Sequence, residues 1–157
     1  TLNSAHQLSR WRMELHERAD GLVVINDAYN ANPESMTAGV QALAEIKQRS
    51  GRRVVAVLGA MAELGERSAL LHAEVGQRVA ELGIDVLLVV GEQAGGLAEG
   101  AARITSGLTT VVSVPGREDA LAWLREKIIA TDVVLVKASR SVGLEIVAEG
   151  LVEEENR

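Results

Sequence analysis

The stretch GLVVINDAYNANPESM, residues 21–36, contains a strand-like run, a polar loop and the start of a helix. Its first half is continuously apolar and β-branched, which is typical of a parallel strand buried on both faces. Asn32, Pro33 and Glu34 then follow the rule for a helix N-terminus, with Asn as the cap, Pro at the first helical position and an acid in the first turn. The stretch therefore predicts a β-loop-α unit whose helix begins at residue 33.

The same alternation continues along the chain. Segments with helical spacing cover 33–50, 68–82, 92–104, 117–130 and 141–155, and glycine weakens the pattern in 92–104. Short apolar runs separate them, namely RVVAVLG (53–59), DVLLVVG (85–91), TTVVSV (109–114) and TDVVLVKAS (131–139). This order predicts an α/β fold, a doubly wound, mostly parallel sheet (Rossmann-like) with helices on both faces.

An antiparallel hairpin is predicted at the start of the sheet. RMELHE (12–17) alternates apolar and polar side chains, and the tight turn RADG joins it to 21–28. The chain begins without Met and enters this strand abruptly, which indicates a piece of a longer protein.

Composition excludes several classes of function. The 157 residues carry a net charge of −6 with no basic run, which argues against a nucleic-acid partner. Cysteine is absent, so disulfides and thiolate chemistry are excluded, as suits a reducing cytoplasm. The apolar runs are far shorter than a bilayer span, which argues against membrane insertion.

Three polar clusters lie at predicted carboxyl ends of strands, where open α/β sheets bind ligands: 26–33, 59–68 and 137–143. In the first, Asp27, Tyr29 and Asn30 are not needed to start the helix, and they suit hydrogen bonding to, and stacking on, a nucleotide. In the third, Lys137 and Arg140 form a compact anion site with the adjacent serines. The alternative is that Ser141 caps the next helix and both cations are solvated.

The second cluster, GAMAELGERS (59–68), carries less information. Its two glycines allow sharp bends, Ser68 is placed to cap the next helix, and its glutamates fit solvated loop positions. His72 on the following helix fits a packed or surface residue better than a ligand. The chain contains neither G-x-G-x-x-G after its first long strand nor G-x-x-x-x-G-K-[ST], and no spacing suggests a metal site.

Three motifs together resemble the C-terminal domain of the Mur ligases. They are INDAYNANPESM (25–36), VLGAMAELGERSALLH (57–72) and LVKASRSVGLE (135–145), and RWRME (10–14) resembles the entry to that domain. The resemblance implies that residues 1–11 end the preceding central domain or linker and that 12–157 form the C-terminal domain. The string D-x-Y-N-A-N-P is similar to that of the family member that joins D-Ala-D-Ala to a UDP-N-acetylmuramoyl tripeptide.

The resemblance also implies a cytoplasmic enzyme of three domains that uses ATP and Mg²⁺ and forms an acyl phosphate in peptidoglycan precursor synthesis. Its binding partners would be the UDP-N-acetylmuramoyl tripeptide, D-Ala-D-Ala and ATP. The metal ligands and the catalytic groups would lie in the missing central domain, so this domain alone would be inactive. It would pack against its own missing domains in a monomeric enzyme.

Site residues follow from the positions that match. ATP-binding residues would be Arg12, Asp27, Tyr29, Asn30 and Asn32, and the acyl-phosphate or acceptor side would be formed by Lys137, Ser139 and Arg140. Two departures are visible: Ala60 stands where the family often has an acid, and Ala138 where it has Gly. Ala138 must therefore adopt ordinary backbone angles.

Two alternatives remain open from the sequence. One is the corresponding domain of a sister ligase of the folylpolyglutamate synthase type, against which the Y-N-A-N-P string argues. The other is a stand-alone α/β binding module without catalysis.

Overall fold

The computed structural model describes residues 13–105 and 107–153, and these contain one sheet of six strands. The strand order is β1-β2-β6-β3-β4-β5; β1 is antiparallel to β2, and all other neighbours are parallel. The predicted fold class and edge hairpin are therefore confirmed. The strands are β1 (Glu14–Glu17), β2 (Val23–Asp27), β3 (Val54–Leu58), β4 (Val86–Val90), β5 (Thr110–Val114) and β6 (Val133–Lys137).

The described part of the chain contains five α-helices, of which the first four connect strands and the fifth follows β6: α1 (Pro33–Ser50), α2 (Ser68–Glu81), α3 (Gly96–Ala101), α4 (Arg117–Lys127) and α5 (Glu145–Glu153). The start of α1 is the one predicted. The Asn32 side chain accepts a hydrogen bond from the Ser35 amide at 2.8 Å, and Ser35 Oγ accepts one from the Asn32 amide at 3.0 Å. This reciprocal capping satisfies two backbone donors and sets the direction in which the loop leaves β2. None of the helices in the described residues is long and apolar enough to cross a membrane.

Two helices are shorter than their sequence patterns predict. The predicted helix 92–104 is a 3₁₀ turn, Glu92–Ala94, followed by the short α3, because Gly95 and Gly96 interrupt it. The helix predicted from residue 141 begins at Glu145 instead. Gly143 takes φ of 73° after the 3₁₀ turn Arg140–Val142, so the chain changes direction before α5 starts.

The core lies in two layers, one on each face of the sheet. Alternate residues of β3 separate between them: Ala56 and Leu58 belong to one cluster, and Val55 and Val57 to the other. Helices α1, α2 and α3 cover the first face, and α4 and α5 cover the second. This explains why the central strands are continuously apolar rather than alternating.

The strand connections create a crevice at the carboxyl end of β6. This strand continues into α5 on one face, whereas its neighbours β2 and β3 continue into α1 and α2 on the other. Adjacent strands whose connections leave toward opposite faces open a crevice between them, and ligands of α/β proteins bind in such crevices.

Two glycines allow α2 and α3 to pack unusually closely. A Cβ on Gly76 would overlap the carbonyl oxygen of Leu97, and one on Gly100 would overlap that of Ala73. The backbones of the two helices are therefore in direct contact, and neither obstructing atom can move without moving its helix.

We expect Gly76→Ala to destabilise the protein, although Gly→Ala inside a helix normally gains about 0.5–1 kcal/mol from helix propensity. The overlap with the Leu97 backbone should cost about 3 kcal/mol or more. Gly39→Ala in α1 is the matched control, since its Cβ would lie 3.4 Å from Lys137 Cδ, an ordinary contact. Urea unfolding of both variants tests this, and equal stability of the two would contradict the close packing.

Candidate functional site

The loops that follow β2, β6 and β3 meet at one edge of the sheet. They comprise residues 28–32, 138–144 and 59–64, which overlap the polar clusters predicted at 26–33, 137–143 and 59–68. The Ser139 amide donates to the carbonyl of Ala60 at 2.9 Å, and the Ser139 hydroxyl donates to that of Ala31 at 3.3 Å. The predicted clusters therefore form one continuous surface around the carboxyl end of β6.

A buried ion pair lies beneath this surface. Asp27 and Lys137 are the last residues of β2 and β6 and are directly opposite each other in the parallel register. Lys137 Nζ lies 2.7 Å from Asp27 Oδ2 and donates a second hydrogen bond to the Asn30 carbonyl at 3.0 Å. The Lys137 side chain is only 3% exposed, so the alternative that it is solvated is wrong.

Burial and Lys137 act in opposite directions on the pKa of Asp27. Burial raises the pKa of the Asp27 carboxyl above its ordinary value of 3.8, and the hydrogen bond and positive charge of Lys137 oppose that rise. Lys137 is thus the group that makes an ionised Asp27 tolerable at this position.

Ser139 is also buried, at 4% exposure. Its Oγ accepts a hydrogen bond from the Ala62 amide at 2.6 Å and donates to Ala31. One hydroxyl therefore joins the loop after β3 to the loop after β2.

Tyr29 and Arg140, in contrast, face solvent. Tyr29 is 42% exposed, and the Arg140 guanidinium lies 5.1 Å from the centre of its ring and donates to its hydroxyl at 3.3 Å. This is a cation–π contact with an additional hydrogen bond. The pair borders an open groove of about 420 Å³, lined by Glu14, Asn26, Ala28, Tyr29, Arg140, Glu145 and Glu149.

The side chains of the two asparagines in the loop after β2 accept hydrogen bonds from backbone amides. Asn32 caps α1, and the Asn30 side chain accepts from the Ala31 amide at 2.9 Å. Both still border a second cleft of about 360 Å³ on the other side of the loop, lined by Met13, Asp27, Asn30, Asn32, Ser35, Ala38, Gly39 and Lys137. The ion pair therefore lines this second cleft and not the first.

His72 supports the loop after β3, a role that the sequence analysis missed. Its Nδ1 donates to the carbonyl of Ser68 at 2.7 Å, and its Nε2 accepts from the Met61 amide at 2.9 Å. The ring is 1% exposed, which confirms the packed interpretation. The sequence carries no signal for this role, because the acceptor at Ser68 is a backbone carbonyl, which any residue at that position supplies. Ser68 itself is the first residue of α2 and does not cap it.

The remaining sequence predictions have mixed outcomes. Ser141 does not cap α5, because it lies in the 3₁₀ turn before Gly143. Ala138 has ordinary backbone angles, since Glu63 is the only non-glycine residue with positive φ among those described. Arg12 and the proposed tail 1–11 lie outside the described residues, so the domain boundary stays a prediction. In the ranges 13–105 and 107–153, no group of three potential ligands could hold a metal ion.

Replacing the buried ammonium should destabilise the fold in a pH-dependent way. In Lys137→Met the burial that raises the pKa of Asp27 remains and the opposing charge is gone, so this pKa rises further. A folded-state pKa above that of the unfolded chain means that stability is lost as the pH rises through it. We expect a loss of about 3 kcal/mol near pH 8 that shrinks toward pH 5.

The control is Lys47→Met, which removes a partly exposed pair, Lys47–Asp85 at 2.9 Å, and should cost less than about 1 kcal/mol. Urea unfolding of both variants across this pH range is the measurement. A loss in Lys137→Met that does not change with pH would contradict the assignment.

The comparisons with known proteins agree with this geometry. A family model described as "Mur ligase, glutamate ligase domain" matches residues 11–140. The UDP-N-acetylmuramoyl-tripeptide–D-alanyl-D-alanine ligase of Mycobacterium tuberculosis is 43% identical, over 98% of this chain and 33% of its own length.

Two solved structures have the same fold over most of the chain. The MurF ligase of Thermotoga maritima in complex with ADP aligns with a TM-score of 0.72 and 31% identity, over 92% of this chain and 31% of that one. For MurF of Acinetobacter baumannii the values are 0.77 and 30%, over 90% and 30%. The chain therefore spans about a third of the length of the curated relatives that it matches. Through its sheet order, its two loop motifs and these matches, the chain belongs to the Mur ligase family.

Proposed function

We propose that this chain is the C-terminal domain of a MurF-type enzyme, an ATP-dependent ligase that joins D-Ala-D-Ala to a UDP-N-acetylmuramoyl tripeptide. The observation that carries the proposal is the meeting of the DAYNANP loop (27–33) and the KASR string (137–140) at the crevice beside β6, in a family member 43% identical to such a ligase. We further propose that the enzyme is a cytoplasmic monomer in which this domain packs against its own N-terminal domains.

The ATP side is proposed to be the loop after β2. Tyr29 offers an exposed ring for a base, while Asp27, Asn30 and Asn32 shape the loop that holds it. The register of β1 supports a role for Arg12. Glu14 pairs with Asn26, so the chain enters the sheet at this same edge only two residues after Arg12. The planar guanidinium of an arginine suits a phosphate or ribose oxygen.

The acceptor side is proposed to be the surface around Arg140. In the reaction, the tripeptide carboxylate attacks the γ-phosphorus and ADP leaves, and the amine of D-Ala-D-Ala then displaces phosphate from the acyl phosphate. Charge develops on carboxylate and phosphoryl oxygens in both steps, and a preorganised cation lowers the energy of such transition states. Arg140 is the exposed cation of the KASR string. Magnesium would assist phosphoryl transfer, and we assign its ligands to the remainder of the enzyme.

We expect the complete enzyme, with the N-terminal domains that its relatives carry, to release phosphate from ATP only when both the tripeptide precursor and D-Ala-D-Ala are present. The 157-residue chain alone should show no turnover, because it supplies one wall of the site. A substrate panel that includes folate and glutamate separates this ligase from a sister ligase. Turnover with folate in place of the muramoyl tripeptide would contradict the proposal.

Tight ATP binding without ligation would favour a stand-alone binding module. Calorimetry on the isolated chain measures this directly, and we expect weak or undetectable heat of binding.

Removing Arg12 should weaken ATP use in the complete enzyme. Loss of a charge-assisted hydrogen bond costs about 1.5–3 kcal/mol, so Arg12→Ala should lower kcat/KM for ATP by roughly 10- to 100-fold. Arg10→Ala, two residues earlier in the same segment, is the matched control and should retain the normal value. Steady-state kinetics with varied ATP test this, and equal values for the two variants would remove Arg12 from the site.

A further inference from the structure

We infer that Ser139 is a positioning residue that couples the nucleotide-side loop to the loop after β3, rather than a ligand of either substrate. This inference deepens the proposed function and rests on it for its kinetic consequences. The starting point is the resemblance, which placed Ser139 beside Lys137 and Arg140 on the acceptor side.

The hydroxyl of Ser139 is already engaged within the protein. Its oxygen accepts a hydrogen bond from the Ala62 amide and its proton is donated to the Ala31 carbonyl, at 2.6 and 3.3 Å. A serine hydroxyl has one proton to donate, so none remains for a substrate oxygen. With 4% of the residue exposed, a ligand cannot reach the oxygen without breaking these contacts.

Burial divides the KASR string into two kinds of residue. Lys137 is engaged by Asp27 and Asn30, and Ser139 by two loops, whereas Arg140 is exposed. Within the string, therefore, Arg140 is the side chain that reaches a ligand directly. The other two residues determine where the loops lie.

The coupling has a mechanical consequence. Loops 28–32 and 59–64 continue into helices on the same face of the sheet, and between their tips lies the β6 loop that carries Ser139. Neither loop can shift relative to the other without losing a hydrogen bond to this hydroxyl. Acyl transfer needs its reacting atoms held close and aligned, so a small change in loop spacing should reduce turnover more than binding.

The test uses Ser139→Ala in the complete enzyme. Hydrogen exchange measured by mass spectrometry should become at least about tenfold faster in peptides covering both 59–64 and 28–32. The Ala62 amide loses its acceptor, and the loop of Ala31 loses the donor that anchors its carbonyl and so opens more often. Ser139→Cys, of similar shape but a poor hydrogen-bonding group, should show the same effect and provides a second lesion should the alanine variant fold poorly.

Kinetics separate positioning from substrate contact. We expect kcat to fall about tenfold while the KM values for ATP and D-Ala-D-Ala stay within about twofold. A direct contact would instead raise the KM of one substrate alone. Ser113→Ala is the control, because it removes an exposed hydroxyl on the edge strand β5, which the site does not include, and both of its readouts should equal those of the parent.

The inference is overturned if kcat is unchanged, if one KM rises alone, or if exchange quickens in only one of the two loops. The two exchange peptides also separate this inference from the proposed function. Should the parent enzyme lack ligase activity, the function fails, while faster exchange in both loops would still establish the coupling.

Discussion

A single buried ion pair determines how this edge of the sheet is built. Asp27 and Lys137 end neighbouring parallel strands in direct register, and Lys137 also reaches the backbone of the loop that follows β2. A charge buried without its partner costs several kcal/mol, so the two strands must end side by side for either residue to be accommodated. The positions of the three loops follow from this requirement, because each leaves the sheet at or beside the pair.

The site consequently has a buried base and a solvent-exposed rim. The base contains the ion pair and the Ser139 hydroxyl; Lys137 and Ser139 both donate to carbonyls of the loop after β2, and both are nearly inaccessible. The rim carries Tyr29 and Arg140, which contact each other across the gap between β2 and β6. Rigid elements beneath exposed functional groups are a common arrangement at the mouths of α/β sheets, since precise placement of a few groups requires support from below.

Sequence reasoning captured the fold well, and for identifiable reasons. Continuous apolar runs of this length fit strands that are buried on both faces. The start of α1 was also predictable, because the N-cap Asn32, Pro33 and Glu34 act locally and distant contacts do not override them. It failed where local preference was weak. Gly95, Gly96 and Gly143 shorten two helices, and hydrophobic periodicity does not predict the backbone angles that a glycine adopts.

The site was predicted in outline but not in its internal pairing. The clusters around Asp27 and Lys137 were expected at one edge of the sheet. Their ion pair, however, forms only because β6 lies next to β2, and the two residues are 110 positions apart in the chain. Strand order of that kind is a property of the whole topology. The support given by His72 was likewise hidden, because a histidine on an apolar helix face has the same sequence signature whether or not it holds a neighbouring loop.

The position of β6 has a consequence for how the molecule is made. This strand is the last of the six in the described sequence and yet is one of the two central strands, inserted between β2 and β3. During synthesis, β2 and β3 emerge from the ribosome about 80 residues or more before the strand that joins them. Until it arrives, the sheet consists of two separate pieces with unpaired edges. Synthesis of β6 thus joins the two pieces of the sheet and brings the KASR string to its place in one event.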